Sequence, residues 1–392
     1  MYGKPTLRPQ IEARLKLGQA ALPEEKPENT SPTLKDYFDG IKKTHLAMAV
    51  RESTAESYEM NFRVHILPEL GDLLLNEITR ERIKEFVGHL TKKEHSHTVK
   101  VKTANVDGNT VVEEKTITKP YSKITIRIIL AELCAVLNHA KEAGHISENP
   151  ATQLSKFYKR AKIVHENIEP LTIEEVPFFL TVAKREAPQY YELFLTALHT
   201  GMRSGELAAL RWHDLDEHGK FIRVQKNISH GKITETKTGK ARRVDVSDEL
   251  FRALLDLRRR RQAEYLARGK NEIPEWVFLG PGRIEKDRET GGLKRAEGKR
   301  IDIRNVKNYA FHKCLTKAGL RRIRFHDLRH TYATLLLMQG ESPAYVRDQL
   351  GHSSIKITVD IYGHWIPGAN RQAVNRLPGI NSHAAMSAVA AD

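Results

Sequence analysis

LGHSSIKITVDIYGH, residues 350–364, is the stretch from which the rest of this chain is best read. Gly351 is a C-terminal stop for a helix over Pro343–Leu350, with Ser342 and Pro343 as its N-cap and first residue. A further helix is expected over about Thr358–Gly363, carrying Tyr362. Three other clusters lie upstream: HDLRH at 326–330, opening a helix over Asp327–Met338, TKTGKARR at 236–243 and TGMRSGEL at 200–207. Together the four pool Arg203, Lys237, His326, Arg329, His352 and Tyr362. Two guanidiniums suit a bidentate grip on a phosphodiester. Two imidazoles can hydrogen-bond phosphate oxygens or move protons near neutral pH. A tyrosine hydroxyl can be a covalent nucleophile, and a lysine can protonate a leaving alkoxide. No carboxylate cluster suggests a metal, so cationic side chains must stabilise the transition state.

Composition agrees with a polyanionic partner. The 392 residues carry 64 Lys and Arg against 49 Asp and Glu, a formal charge of +15, which puts nucleic acid first. No long basic amphipathic helix with aromatic anchors supports a membrane surface, and no stretch approaches a membrane span. MYGKPTLRPQ at the start lacks the apolar run of a signal peptide. Cys134 and Cys314 are too far apart and too few for a disulfide framework or a thiolate zinc site, and are expected as buried thiols in a reducing cytosol.

The length implies two domains with extensions. Residues 1–30 read as an N-terminal extension and linker. Residues 31–157 read as mainly helical, with helices near 34–41, 54–66, 79–93 and 121–143. An insert at 94–119 places Asp107-Gly108 between β-branched runs, a hairpin signal. A basic linker over 158–167 precedes a second domain over 168–370. There Thr172 and Glu175 form a capping box, and helices near 189–199 and from 204 follow. FIRVQK (221–226), KITETK (232–237) and RRVDV (242–246) read as short strands. A helix from Ser247 runs through Arg258–Arg261, a charge run expected on a solvated face, and 280–304 read as a basic surface loop. The tail, 371–392, ends in AAMSAVAA. Lys156, Lys159, Arg160, Lys240, Arg242 and Arg243 are candidate phosphate contacts. The fold class is therefore mainly α with a small antiparallel β-sheet.

Two competing readings of single motifs fail. His326 and His330 have the spacing of a zinc pair, but Asp-Leu-Arg lies between them, and an arginine beside a metal is unfavourable. KTGK lacks the upstream glycine of a phosphate-binding loop, so ATP dependence is not expected.

In this order the four motifs resemble the tyrosine recombinase (phage integrase) family, strongly over about 168–366 and more loosely over 31–157. The resemblance implies a two-domain DNA clamp, with a helical core-binding domain preceding the catalytic domain. It implies Arg203, Lys237, His326, Arg329, His352 and Tyr362 as the catalytic set, with Glu206 supporting the first arginine. Lys237 is preferred to Lys240 because it precedes the Thr-Gly turn. The interval from Lys237 to His326 is long for the family, and the 280–304 loop accounts for the excess. The implied activity is site-specific DNA recombination through a 3′-phosphotyrosyl bond and a Holliday junction, without nucleotide or metal cofactor. The implied partners are double-stranded attachment sites, a homo-tetramer and an accessory DNA-bending or directionality factor, in the cytoplasm on the nucleoid. The tail is expected to dock on a neighbouring protomer. The helical first domain, the extension and the insert favour a phage or mobile-element integrase. A type IB topoisomerase-like relaxing enzyme and a catalytically silent DNA-binding regulator are the alternatives.

Overall fold

The computed structural model describes residues 31–104, 110–152, 169–229, 231–236, 239, 241–282, 284–286, 293–295 and 298–366. Lys156, Lys159, Arg160, Lys237 and Lys240 lie outside these residues, as do the extension at 1–30, the 158–167 linker and the 371–392 tail. The chain divides into two compact units, Met1–Ile163 and Val164–Asp392.

The first unit is helical. Helix α1 (Leu34–Ile41) begins where the Thr33 hydroxyl accepts from the Asp36 amide, and buries Leu34, Tyr37, Phe38 and Ile41. Helix α2 (Glu52–Asn61) runs into a π-turn over Phe62–Ile66 and then Leu67–Leu70. The chain thus stays helical past Pro68, which occupies the first turn of Leu67–Leu70, where no amide donor is needed. Helix α3 is Arg80–Lys92. The insert is a hairpin, β1 (Glu94–Ala104) paired antiparallel with β2 (Thr110–Pro120), and its Asp107-Gly108 turn lies outside the described residues. Helix α4 (Lys123–Glu142) spaces Ile126, Ile129, Leu130, Leu133, Val136, Leu137 and Ala140 at helical intervals on its buried face. The Phe38 and Phe62 rings stack 3.8 Å apart in the same core.

The second unit opens with the capping box. The Thr172 amide donates to Glu175 Oε2 at 2.9 Å and the Glu175 amide to Thr172 Oγ1 at 3.3 Å, starting α5 (Glu175–Glu186). Helices α6 (Tyr191–Thr200) and α7 (Ser204–Ala208) follow. The three expected strands divide between two sheets. In the first, β3 (Leu215–Asp216), β4 (Phe221–Val224) and β7 (Arg242–Asp245) pair in the order β3-β4-β7. In the second, β5 (Lys226–Ser229) and β6 (Lys232–Glu235) form a separate hairpin.

Helix α8 (Asp248–Leu266) carries the arginine run, which is not merely solvated. Arg258 and Arg261 lie over the Trp212 ring, and Arg261 Nη1 donates to the Trp276 and Val277 carbonyls at 2.9 and 2.8 Å. Within the basic loop, β8 (Ile284–Lys286) pairs with β9 (Leu293–Arg295), a ribbon too short to show an apolar period in sequence. Helices α9 (His312–Lys317), α10 (Asp327–Met338), α11 (Pro343–Leu350) and α12 (Ile355–Tyr362) complete the unit. Helix α12 starts earlier than its sequence suggests, because the Ser354 hydroxyl caps the Lys356 amide at 3.1 Å. Cys314 is buried and Cys134 only half-buried.

Candidate active site

Two glycines in left-handed conformation set the frame. Gly201 ends α6 at φ 58° and Gly351 ends α11 at φ 66°. A Cβ on Gly201 would lie 2.6 Å from the Tyr332 ring and 2.8 Å from Leu350, so the contact between these elements requires glycine. Helix ends leave carbonyls without helical partners, and here arginines take them. Arg329, 3% exposed, donates from Nη1 to Gly201 O and from Nη2 to Leu350 O, both at 2.7 Å. Arg242 Nε reaches Gln349 O at 2.9 Å, and Arg203 Nη2 reaches Gly351 O at 3.4 Å. Three cations at the negative end of α11 also complement its dipole.

Glu206, 2% exposed, joins two of them. Its Oε1 accepts from Arg203 Nη1 at 3.0 Å and Arg242 Nη1 at 2.9 Å. Its Oε2 accepts from Arg242 Nη2 at 2.7 Å and the Arg203 amide at 2.9 Å. Burial opposes ionisation of this carboxyl, but the Arg242 bonds and the charges of Arg242 and Arg203 overcome it and hold the group at about 2. The Arg242 guanidinium, expected as a phosphate contact, is hydrogen-bonded to Glu206 and the end of α11, with 11% of the side chain exposed. Alternation along β7 turns its neighbour Arg243 outward, over the Phe221 ring.

Helices α10 and α12 carry the remaining groups. His326 is the N-cap residue of α10 and keeps an exposed surface. The protein around it, then His330 and Arg329, nevertheless push its imidazole below the ordinary value. His352 follows Gly351, and its Nδ1 lies 2.9 Å from Thr358 Oγ1. Burial first and Arg329 next push it down to about 3, so it is neutral at pH 7. Its ring lies parallel to that of Tyr362, centres 6.4 Å apart. Tyr362 is 1% exposed and its hydroxyl sits 2.7 Å from His330 Nδ1. Burial pushes the phenol up to about 12, against the opposing pull of Arg329 and Arg203. Burial likewise lowers the Arg329 guanidinium to about 9, still charged at neutral pH.

The structure thus brings together Arg203, Glu206, His326, Arg329, His352 and Tyr362. Three neighbours lie outside the catalytic set expected from the sequence, where His330 enters only as half of the rejected zinc pair. His330 is one turn from His326, and Thr358 one turn before Tyr362, so helical spacing alone pointed to both. Lys307 had no such signal. Its Nζ donates to Ser204 Oγ at 2.8 Å and lies 5.7 Å from the Phe325 ring centre, beside Arg203 and His326 in sequence. It is half-buried, its pKa is lowered by burial, and no carboxylate pairs with it among the described residues.

Known proteins show the same organisation. Residues 169–367 match the phage integrase family, and 33–91 match the N-terminal SAM-like domain of phage integrases. The chain is 27% identical over 383 residues to a tyrosine recombinase XerC-like protein of Caldanaerobacter subterraneus, covering 89% of this chain and 93% of that protein. It is 28% identical to the prophage integrase IntR of Escherichia coli, over 64% of this chain and 60% of IntR. The fold matches the Tn1549 transposon integrase in complex with a circular intermediate DNA, with a TM-score of 0.62, 20% identity and coverage of 88% and 98%. It also matches a lambda integrase tetramer bound to a Holliday junction, with a TM-score of 0.57, 17% identity and coverage of 93% and 87%. With these matches over a catalytic unit that gathers two arginines, two histidines and a buried tyrosine around one helix end, the chain belongs to the phage integrase family and is a tyrosine site-specific recombinase.

Proposed function

We propose that this recombinase integrates and excises a mobile element. Tyr362 attacks the scissile phosphate, forms a 3′-phosphotyrosyl bond and releases a 5′-hydroxyl, which attacks the linkage on the partner strand. Two such exchanges pass through a Holliday junction, on a tetramer assembled over two DNA sites. The observation that carries this reading is the convergence of Arg203 and Arg329 with His352 and Tyr362 at the C-terminal end of α11. The arginines, held by backbone carbonyls, need no reorganisation to receive a phosphate. His352 donates to its oxygens, His326 is the base for the phenol and Lys237 protonates the 5′ oxygen, as the family resemblance implies. Arg243 and Lys307 contact flanking phosphates. The kinship with a prophage integrase and with the ICEBs1 integrase of Bacillus subtilis favours integration over chromosome-dimer resolution.

A DNA nicked beside the cleavage site should trap the wild-type adduct. Tyr362→Phe should bind that DNA and trap nothing. Adduct formation by the Phe variant would sink the assignment.

A further inference from the structure

A tyrosine nucleophile whose phenol is pushed up to about 12 is ionised to roughly one part in 10⁵ at pH 7, so a base must take its proton during attack. The resemblance gives that task to His326, but the structure puts another imidazole on the phenol. His330 is 8% exposed, and its Nδ1 lies 2.7 Å from the Tyr362 hydroxyl. The phenol O–H can donate to Nδ1 over this distance when the ring proton sits on Nε2. His326 meets His330 edge-on, ring centres 5.1 Å apart at 87°, and makes no hydrogen bond to Tyr362 among the described residues.

We propose that His330 is the proton acceptor for Tyr362, leaving His326 to act on the phosphate. The proposal rests on Tyr362 being the nucleophile. As the Oη–P bond forms and the P–O5′ bond breaks, the phenol proton moves to His330 Nδ1. The 5′ oxygen takes its proton from a separate acid, Lys237 or water. In rejoining, the P–Oη bond breaks and His330 returns the proton to the phenolate. Charged and titratable groups around the pair include Asp327, Arg329 and His326 of the same helix region, Arg203 before α7, Arg242 of β7 and His352 before α12. These are mostly cations or neutral imidazoles, and the negative charge that builds on the phosphorane favours moving the proton to His330 during attack. The proton transfer is thereby tied to the chemical step.

The test is single-turnover adduct formation on the nicked DNA from about pH 5.5 to 9, for the wild type, His330→Asn and Tyr362→Phe. An asparagine amide oxygen reproduces the Nδ1 acceptor but cannot hold the proton. His330→Asn should melt and bind DNA like the wild type and form adduct roughly 10²–10⁴-fold more slowly, with the acid limb of the wild-type profile gone. Replacing the bridging 5′ oxygen with sulfur removes the need for an acid and should not restore it. An Asn variant within about threefold of the wild type, or one restored by the sulfur substrate, overturns the proposal. Should His330→Asn fail to fold, the imidazole nitrogens of the wild-type protein decide by NMR. The nitrogen that shifts on Tyr362→Phe must be an unprotonated Nδ1, and a protonated one overturns the proposal. A wild type that forms no adduct, or a Phe variant that does, would fail the nucleophile assignment instead, so the two failures are distinct.

Discussion

Replacing Glu206 by glutamine should both destabilise the catalytic unit and disable it. The carboxylate accepts from Arg203 Nη1, the Arg203 amide and both Arg242 Nη atoms. Glutamine keeps one acceptor oxygen and turns an NH₂ toward donors on the other side. It also leaves the Arg203 and Arg242 side chains, 25% and 11% exposed, without their buried counter-charge. Removing one partner of such a buried pair costs about 3–5 kcal/mol. For a unit of this size, at ~2–4 °C per kcal/mol, melting should fall by about 6–20 °C. Arg203 loses its brace, and a misplacement of about 1 Å there should slow cleavage on the order of 10²-fold. The effect has a pH signature. The folded carboxyl sits at about 2, below its ordinary value of 4.5, so its contribution is full above that value and is lost as pH falls through it toward 2. Calorimetry of the full chain at several pH values, with adduct formation measured alongside, checks both parts. A stability loss under about 1 kcal/mol at neutral pH, or a gap between variant and wild type that widens in acid, would refute the reasoning.

Arg203→Ala and Arg329→Ala should each lower cleavage on the order of 10²–10³-fold or more, and the double variant should lose less than the product, since both serve one phosphate; near wild-type cleavage by either removes the phosphate grip. Arg329→Ala should also lower the melting temperature more than Arg203→Ala, because it frees two buried carbonyls, Gly201 O and Leu350 O, rather than one. Lys307→Ala should flatten the slope of log affinity against log salt by about 0.9, the loss of one phosphate contact, and an unchanged slope would show that its ammonium meets no DNA. Strand cleavage should persist in EDTA and without ATP, because guanidinium charge stabilises the transition state and the phosphotyrosine conserves the bond; loss on chelation would reopen a metal reading of HDLRH.

Most helices, and the residue types suited to phosphodiester chemistry, were legible along the chain. Helical spacing of Ile126, Ile129, Leu133 and Val136, the Thr172–Glu175 capping box, and the Gly351 stop are local signals, each satisfied within a turn or two of chain. The residues able to handle a phosphodiester were legible because their motifs are contiguous. Tertiary structure alone decided how those motifs meet. Arg242 looked like any basic strand residue, and only the fold brings it to Glu206, 36 positions away, and to the end of α11, 107 positions away. The pairing of His330 with Tyr362 spans 32 positions and two helices. Lys307 reaches Ser204 across 103. Propensity and periodicity report neighbours along the chain, whereas which carbonyl an arginine satisfies, and which imidazole meets a phenol, depends on how buried helix ends are packed together.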